Sequence, residues 1–125
     1  MTPTGLHVSD DLLFTSKVTA TARAHGLEMV TARSAGLAVE AARRVAPAAV
    51  LLDLQNPGLD LPEILAGLRA ACPVMPRVIG YGSHLARETL DAARAAGLDR
   101  VMPRSKFVAS LETDLAGWIA GGREA

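Results

Sequence analysis

Apolar and polar positions alternate along this chain with two different periods. Short runs rich in Leu, Val and Ile are typical of buried strands, whereas apolar positions that recur every three or four residues are typical of helices covering a core. The runs predict five strands, at residues 5–9, 27–32, 48–53, 77–81 and 99–103. The longer stretches predict five helices, at residues 11–25, 35–45, from about 60, 84–96 and 107–120.

The regular alternation of strands and helices indicates the fold class. Strands joined through helices form a parallel sheet with right-handed crossovers and helices on both faces. We therefore predict an α/β fold, a doubly wound five-stranded parallel sheet made by a single domain over residues 1–125. Neither an internal repeat nor a linker-like segment interrupts the pattern.

The composition of the chain limits the kinds of partner that it is expected to bind. Of the 125 residues, 13 are Lys or Arg and 13 are Asp or Glu, so the net charge is zero. No overall field attracts nucleic acid or an anionic membrane, and no segment approaches the ~20 apolar residues of a spanning helix. The single cysteine, Cys72, has no partner for an internal disulfide, which favours a reducing compartment. We expect a cytoplasmic protein that binds neither nucleic acid nor a membrane.

Three carboxylates follow predicted strands. Asp53 ends the apolar run of "LLDLQNPGLD", and Asp10 and Asp11 directly follow the first strand. In open parallel sheets, ligands bind at the carboxyl ends of the strands, and strands one and three are neighbours in a five-stranded sheet of this type. We therefore expect all three carboxylates in one crevice, where they would suit Mg²⁺ or Mn²⁺. Alternatively, Asp10 and Asp11 stabilise a helix N-terminus and Asp53 begins a turn.

An ionised carboxylate at such a site has a specific chemical use. Asp53 is charged at neutral pH and can attack a phosphoryl group as a nucleophile without a general base. A metal ion and a nearby cation would neutralise the charge on the phosphoryl oxygens.

The acidic pair Asp10-Asp11, the segment "VLLDLQNPGLD" and the segment "AARAAGLDRVMPRSKF" together resemble the receiver domains of two-component response regulators. This family has a flavodoxin-like (βα)5 fold and signals without being an enzyme. The resemblance implies that Asp53 accepts a phosphoryl group from a histidine kinase. It also implies that Mg²⁺ is bound by Asp11, Asp53 and the backbone carbonyl of Gln55, with Asp10 acting through water.

The chain departs from the family pattern at several positions. Gly82 stands where receivers carry a Thr or Ser hydroxyl that binds the phosphoryl group, and Ser83 follows it. Arg104 stands at the position of the family's lysine, and Val101 stands where many receivers have an aromatic residue. The resemblance thus leaves Ser83 as a displaced hydroxyl and Arg104 as the site's cation, although a guanidinium is not equivalent to an ammonium group.

Two hypotheses follow from these residues. In the first, Asp53 is a phosphoacceptor and the partner is a histidine kinase. In the second, the chain is a degenerate receiver that recognises a target protein, or a second copy of itself in a homodimer, without phosphorylation. A weaker third hypothesis makes the chain a nucleotide- or flavin-binding enzyme, with "GYGSH" at residues 80–84 as a phosphate-binding turn before a helix.

Overall fold

The computed structural model describes residues 3–121, which fold around one sheet. Its five parallel strands are β1 Thr4–Val8, β2 Glu28–Ala32, β3 Ala49–Asp53, β4 Arg77–Gly82 and β5 Arg100–Pro103. Each strand is followed by a helix: α1 Leu12–Ala24, α2 Ala35–Val45, α3 Leu61–Ala71, α4 Arg87–Ala95 and α5 Arg104–Ala120. The strand order is β2-β1-β3-β4-β5, which confirms the predicted doubly wound, flavodoxin-like fold.

Local sequence signals set several helix boundaries. Asp60 caps α3 by accepting a hydrogen bond of 3.0 Å from the backbone N–H of Glu63, as the spacing of the two residues predicts. Gly26 and Gly97 follow α1 and α4 with φ of 73° and 89°. This left-handed conformation suits glycine, which has no Cβ to clash with the backbone.

Helix α4 begins three residues later than the sequence pattern indicates. Residues 83–86 form a turn in which the N–H of Ala86 donates to the carbonyl of Ser83 over 2.9 Å. His84 therefore precedes the helix, and residues 80–82 belong to β4. The proposed phosphate-binding turn at residues 80–84 was wrong, because this segment is a strand end that does not lead directly into a helix N-terminus.

Successive residues along each strand face opposite sides of the sheet and fill two cores, one on each side. In β3, Leu51 packs on the face covered by α1 and α5, whereas Leu52 packs on the face covered by α2 and α3. Both side chains are fully buried. On the α5 face, Phe107 stacks on Trp118 with ring centroids 5.9 Å apart, so the chain's single tryptophan is a core residue. Among the described helices, none has the length and hydropathy needed to cross a bilayer.

The register of β1 against β3 positions the candidate site. Val8 is the partner of Leu52, and the residues that follow them are Ser9 and Asp53. Because parallel strands end at the same edge of a sheet, the segments after β1 and β3 meet there. The predicted adjacency of strands one and three is confirmed.

Candidate functional site

Asp53, the last residue of β3, lies half-buried at the carboxyl end of the sheet. Its Oδ2 accepts a hydrogen bond of 2.8 Å from the hydroxyl of Ser9, and its Oδ1 accepts one of 3.0 Å from the backbone N–H of Gln55. Ser9 is itself buried and comes directly after β1. Both carboxylate oxygens of Asp53 are thus engaged by donors of the chain itself.

Asp11 also uses both of its carboxylate oxygens. Oδ1 caps α1 by accepting a hydrogen bond of 3.1 Å from the backbone N–H of Phe14. Oδ2 accepts a hydrogen bond of 2.8 Å from Nη2 of Arg104, the first residue of α5. The Phe14 N–H, and then the Arg104 guanidinium, hold the pKa of Asp11 below its usual range. Asp11 is therefore a charged cap that is joined to α5.

Asp10 is positioned by its backbone. Its N–H donates a hydrogen bond of 2.8 Å to Oδ1 of Asn56, a buried residue of the loop after β3. The Asn56 amide nitrogen donates in turn to the backbone carbonyl of Arg33 over 3.0 Å. Asn56 thereby connects the loops that follow β1, β2 and β3, while Asp10 itself lies exposed at the surface.

The arrangement of carboxylates can be tested against the Mg²⁺ that the resemblance implies. In the part of the chain that the structure describes, no three His, Cys, Asp or Glu side chains are grouped so that they could hold a metal ion. The predicted gathering of Asp10, Asp11 and Asp53 around a cation is not found there; Arg104 pairs with Asp11, and Ser9 bonds to Asp53. Mg²⁺ demands octahedral geometry and is usually held by one or two carboxylates together with water molecules. As arranged, Oδ2 of Asp11 is held by the Arg104 guanidinium, and a Mg²⁺ ion bound to that oxygen would have to displace it.

The remaining predicted site residues, Gln55 and Ser83, contact each other. Oε1 of Gln55 accepts a hydrogen bond of 2.6 Å from the backbone N–H of Ser83. The Ser83 hydroxyl accepts one of 3.1 Å from the N–H of Leu85, within the turn before α4. The structure therefore brings Gln55 and Ser83 together through groups other than the predicted Gln55 carbonyl and Ser83 hydroxyl.

A buried polar pair lies on the α5 side of the sheet beneath this edge. Nε2 of His7 in β1 is 2.6 Å from the hydroxyl of Tyr81 in β4, and both side chains are fully buried. Nδ1 of His7 is buried and has no hydrogen-bond partner among the described residues. Burial, and then the positive charge of Arg104, lower the pKa of His7 from 6.5 to about 4. Burial, and then the charge of Asp53, raise the pKa of Tyr81. The pair is therefore neutral at pH 7.

Sequence reasoning missed three residues that shape this edge: Ser9, Phe14 and Asn56. A signal existed for Ser9, because it faces Asp53 once β1 and β3 are aligned as parallel neighbours. Phe14 lies under the Arg104 guanidinium, with Cζ 4.3 Å from the ring centroid, and it falls within the helix predicted over residues 11–25 with nothing to distinguish it. Asn56 stands in an Asn-Pro-Gly segment, which is typical of a turn, so nothing in the sequence indicated that its side chain would be buried.

Comparison with known proteins gives matches by structure only. No protein-family model matches the sequence, and neither does any curated protein. Among solved structures, the receiver domain of NtrX from Brucella abortus is 26% identical, with a TM-score of 0.69, covering 87% of this chain and 98% of that one. The signal receiver domain of NarL from Mycobacterium tuberculosis is 20% identical, with a TM-score of 0.76 and 98% of both chains covered.

A third similar structure contains a bound partner. It is the receiver domain of the response regulator Ssk1 from Saccharomyces cerevisiae, crystallised with the histidine phosphotransfer protein Ypd1. That receiver is 15% identical to this chain, with a TM-score of 0.78, and 95% of this chain and 90% of that one are covered. At these identities the likeness concerns the fold. The chain has the fold of response regulator receiver domains.

Proposed function

We propose that this chain is a receiver-like signalling domain of a two-component pathway that recognises a protein partner without being phosphorylated. The fold shared with receiver domains supports the receiver-like assignment. The observation that carries the phosphorylation-independent part is the ion pair of 2.8 Å between Arg104 and Asp11. We assign the domain no catalytic activity.

The chemistry of phosphoryl transfer explains why this ion pair matters. A carboxylate that accepts a phosphoryl group needs an oxygen free to attack and a cation that neutralises the phosphoryl oxygens. Here each Asp53 oxygen accepts one hydrogen bond, from Ser9 or Gln55, which leaves it a free lone pair, whereas the guanidinium of Arg104 is already paired with Asp11. The requirement for a cation therefore competes with a contact that the folded chain already makes.

The partner in this proposal is a target protein or a second copy of the chain. Recognition of that partner would use the surface of the fold as it stands, in which the contacts of Asp11, Asn56 and Asp53 join the loops at the sheet edge. The partner need not provide or remove a phosphoryl group.

A second candidate function is that of a phosphoacceptor, with Asp53 modified by a histidine kinase or a histidine phosphotransfer protein. The half-buried position of Asp53 at the carboxyl end of β3 favours it, because this is where ligands reach open α/β sheets. The receiver of yeast Ssk1 was crystallised with a protein of the second kind. This candidate requires that Arg104 turn from Asp11 towards the phosphoryl oxygens during the transfer.

Substitution of Asp53 separates the two candidates. We would replace the chromosomal gene by Asp53→Asn and Asp53→Ala versions and compare the signalling phenotype with wild type and with a deletion. The first candidate predicts a wild-type phenotype for both variants, because no modification of Asp53 is needed. A deletion-like phenotype for an Asp53→Asn protein that is folded by circular dichroism would contradict it and support the phosphoacceptor.

A further inference from the structure

Arg104 brings a positive charge of the chain itself to the acidic edge of the sheet. Two contacts fix its guanidinium there: the hydrogen bond of 2.8 Å to Oδ2 of Asp11 and the cation–π contact of 4.3 Å with the ring of Phe14. Asp11 is the N-cap of α1 and Phe14 lies in its first turn, so the start of α1 supplies both contacts to the Arg104 side chain of α5.

Without these two contacts, the positive charge of Arg104 would be unfavourable at its position in α5. It is the first residue of α5, where the helix macrodipole is positive and disfavours a cation. The cap residue before it, Pro103, offers no side-chain hydrogen bond to the helix. The Asp11 carboxylate compensates for the unfavourable charge because it pairs directly with the Arg104 guanidinium.

We propose that Arg104 is a built-in counter-ion that takes the place of a divalent cation at Asp11, so that this edge of the sheet is ordered in the absence of metal. The guanidinium satisfies the carboxylate oxygen that a Mg²⁺ ion would otherwise bind. The role of Arg104 as a counter-ion does not depend on whether Asp53 is phosphorylated. It shares with the proposed function only its location at the same edge of the sheet.

The inference predicts that removal of the guanidinium makes the chain responsive to divalent cations. We would measure the melting temperature, Tm, of wild type and Arg104→Met with and without about 10 mM MgCl₂, in a buffer that keeps total ionic strength constant with KCl. The Met side chain keeps an apolar stem against Phe14 and removes the charge together with the guanidinium donors. We expect no Mg²⁺ shift for wild type, and for the variant a lower Tm that Mg²⁺ raises by roughly 3 °C or more.

Two further variants isolate the charge. Arg104→Lys retains a cation and should block the Mg²⁺ response, although it lacks the planar fork. Arg94→Gln removes a guanidinium that forms an exposed pair of 3.0 Å with Asp91 on α4, and it should behave as wild type in its Mg²⁺ response. This control separates a general effect of net charge from an effect at Asp11.

Binding of Mn²⁺ at 25 °C, followed by the loss of free Mn²⁺ signal in electron paramagnetic resonance, gives a second readout that does not depend on heating. We expect Arg104→Met to bind Mn²⁺ at least about tenfold more tightly than wild type. Equal Mg²⁺ and Mn²⁺ responses of wild type and Arg104→Met, whether both absent or both present, would overturn the inference. That outcome is distinct from failure of the proposed function, which is read from the phenotype of the Asp53 variants.

Discussion

Acidification should destabilise the fold through one buried side chain, His7. Its imidazole is fully buried between Phe14 and Tyr81, and Nδ1 has no hydrogen-bond partner among the described residues. A second proton on the imidazole is opposed by the low-dielectric surroundings and by the charge of Arg104. The unfolded chain binds this proton readily, and the folded chain does not.

The pKa of His7 sets the size and the pH range of the effect. The folded-state pKa of about 4 lies below the ordinary value of 6.5, so the unfolded state binds more protons between these two pH values. Stability is therefore complete above pH 6.5 and falls as the pH is lowered towards 4. Because one pKa unit corresponds to about 1.4 kcal/mol, the free energy of unfolding should decrease by about 3 kcal/mol over this range. That is a substantial part of the 5–15 kcal/mol typical of natural domains.

Urea unfolding at pH 7.0, 6.0, 5.0 and 4.5, followed by the fluorescence of buried Trp118, measures this loss. The His7→Gln variant keeps a group that can bond to the Tyr81 hydroxyl but cannot titrate, so its stability should vary much less over the same pH range. A control variant at the exposed His84, His84→Gln, should retain the wild-type dependence. Equal pH dependence in wild type and His7→Gln would show that the loss of stability comes from groups other than His7.

Three further substitutions test contacts that position the site. Ser9→Ala removes the hydrogen-bond donor to Asp53 and should lower the free energy of unfolding, measured in urea, by about 1–2 kcal/mol. The control Ser16→Ala, at an exposed position, should change it little, and equal effects of the two substitutions would contradict the role given to Ser9. Gly80→Ala should destabilise by about 1–3 kcal/mol, because a Cβ there would lie 2.7 Å from a Leu side chain, whereas Gly36→Ala, with open space around it, should be neutral or stabilising. Asp60→Ala should lower the free energy of unfolding by about 1 kcal/mol, whereas Asp60→Asn, which keeps a side-chain acceptor for the N-cap, should lower it much less. A loss of the same size in both variants would argue against the N-cap.

Most of the fold could be predicted because it depends on local periodicity. The apolar runs and the helical spacing gave all five strands and five helices of the described chain to within a few residues. The start of α4 was predicted too early, since the Ser83 turn that precedes it has the same polar composition as a first helical turn. The start of α5 was predicted too late, because Arg104 at a helix N-terminus contradicts the usual charge preference.

The candidate site was predictable in its location and not in its contacts. That Asp11 and Asp53 follow neighbouring strands could be inferred from strand order alone. The partner of Arg104 could not be inferred, because Asp11 and Arg104 are 93 positions apart and either carboxylate would attract a guanidinium. The buried His7–Tyr81 pair was equally hidden, since the two residues lie on strands separated by β3 and only the packed sheet brings them together.

In the proposed function, the chain's own contacts at Asp11 and Asp53 replace those that a metal and a phosphoryl group would make. The most direct test is the intact mass of the purified protein after incubation with acetyl phosphate and Mg²⁺, beside an Asp53→Asn control treated identically. We expect an unmodified mass for both proteins. A phosphoryl adduct on the wild-type chain that is missing from Asp53→Asn would contradict it.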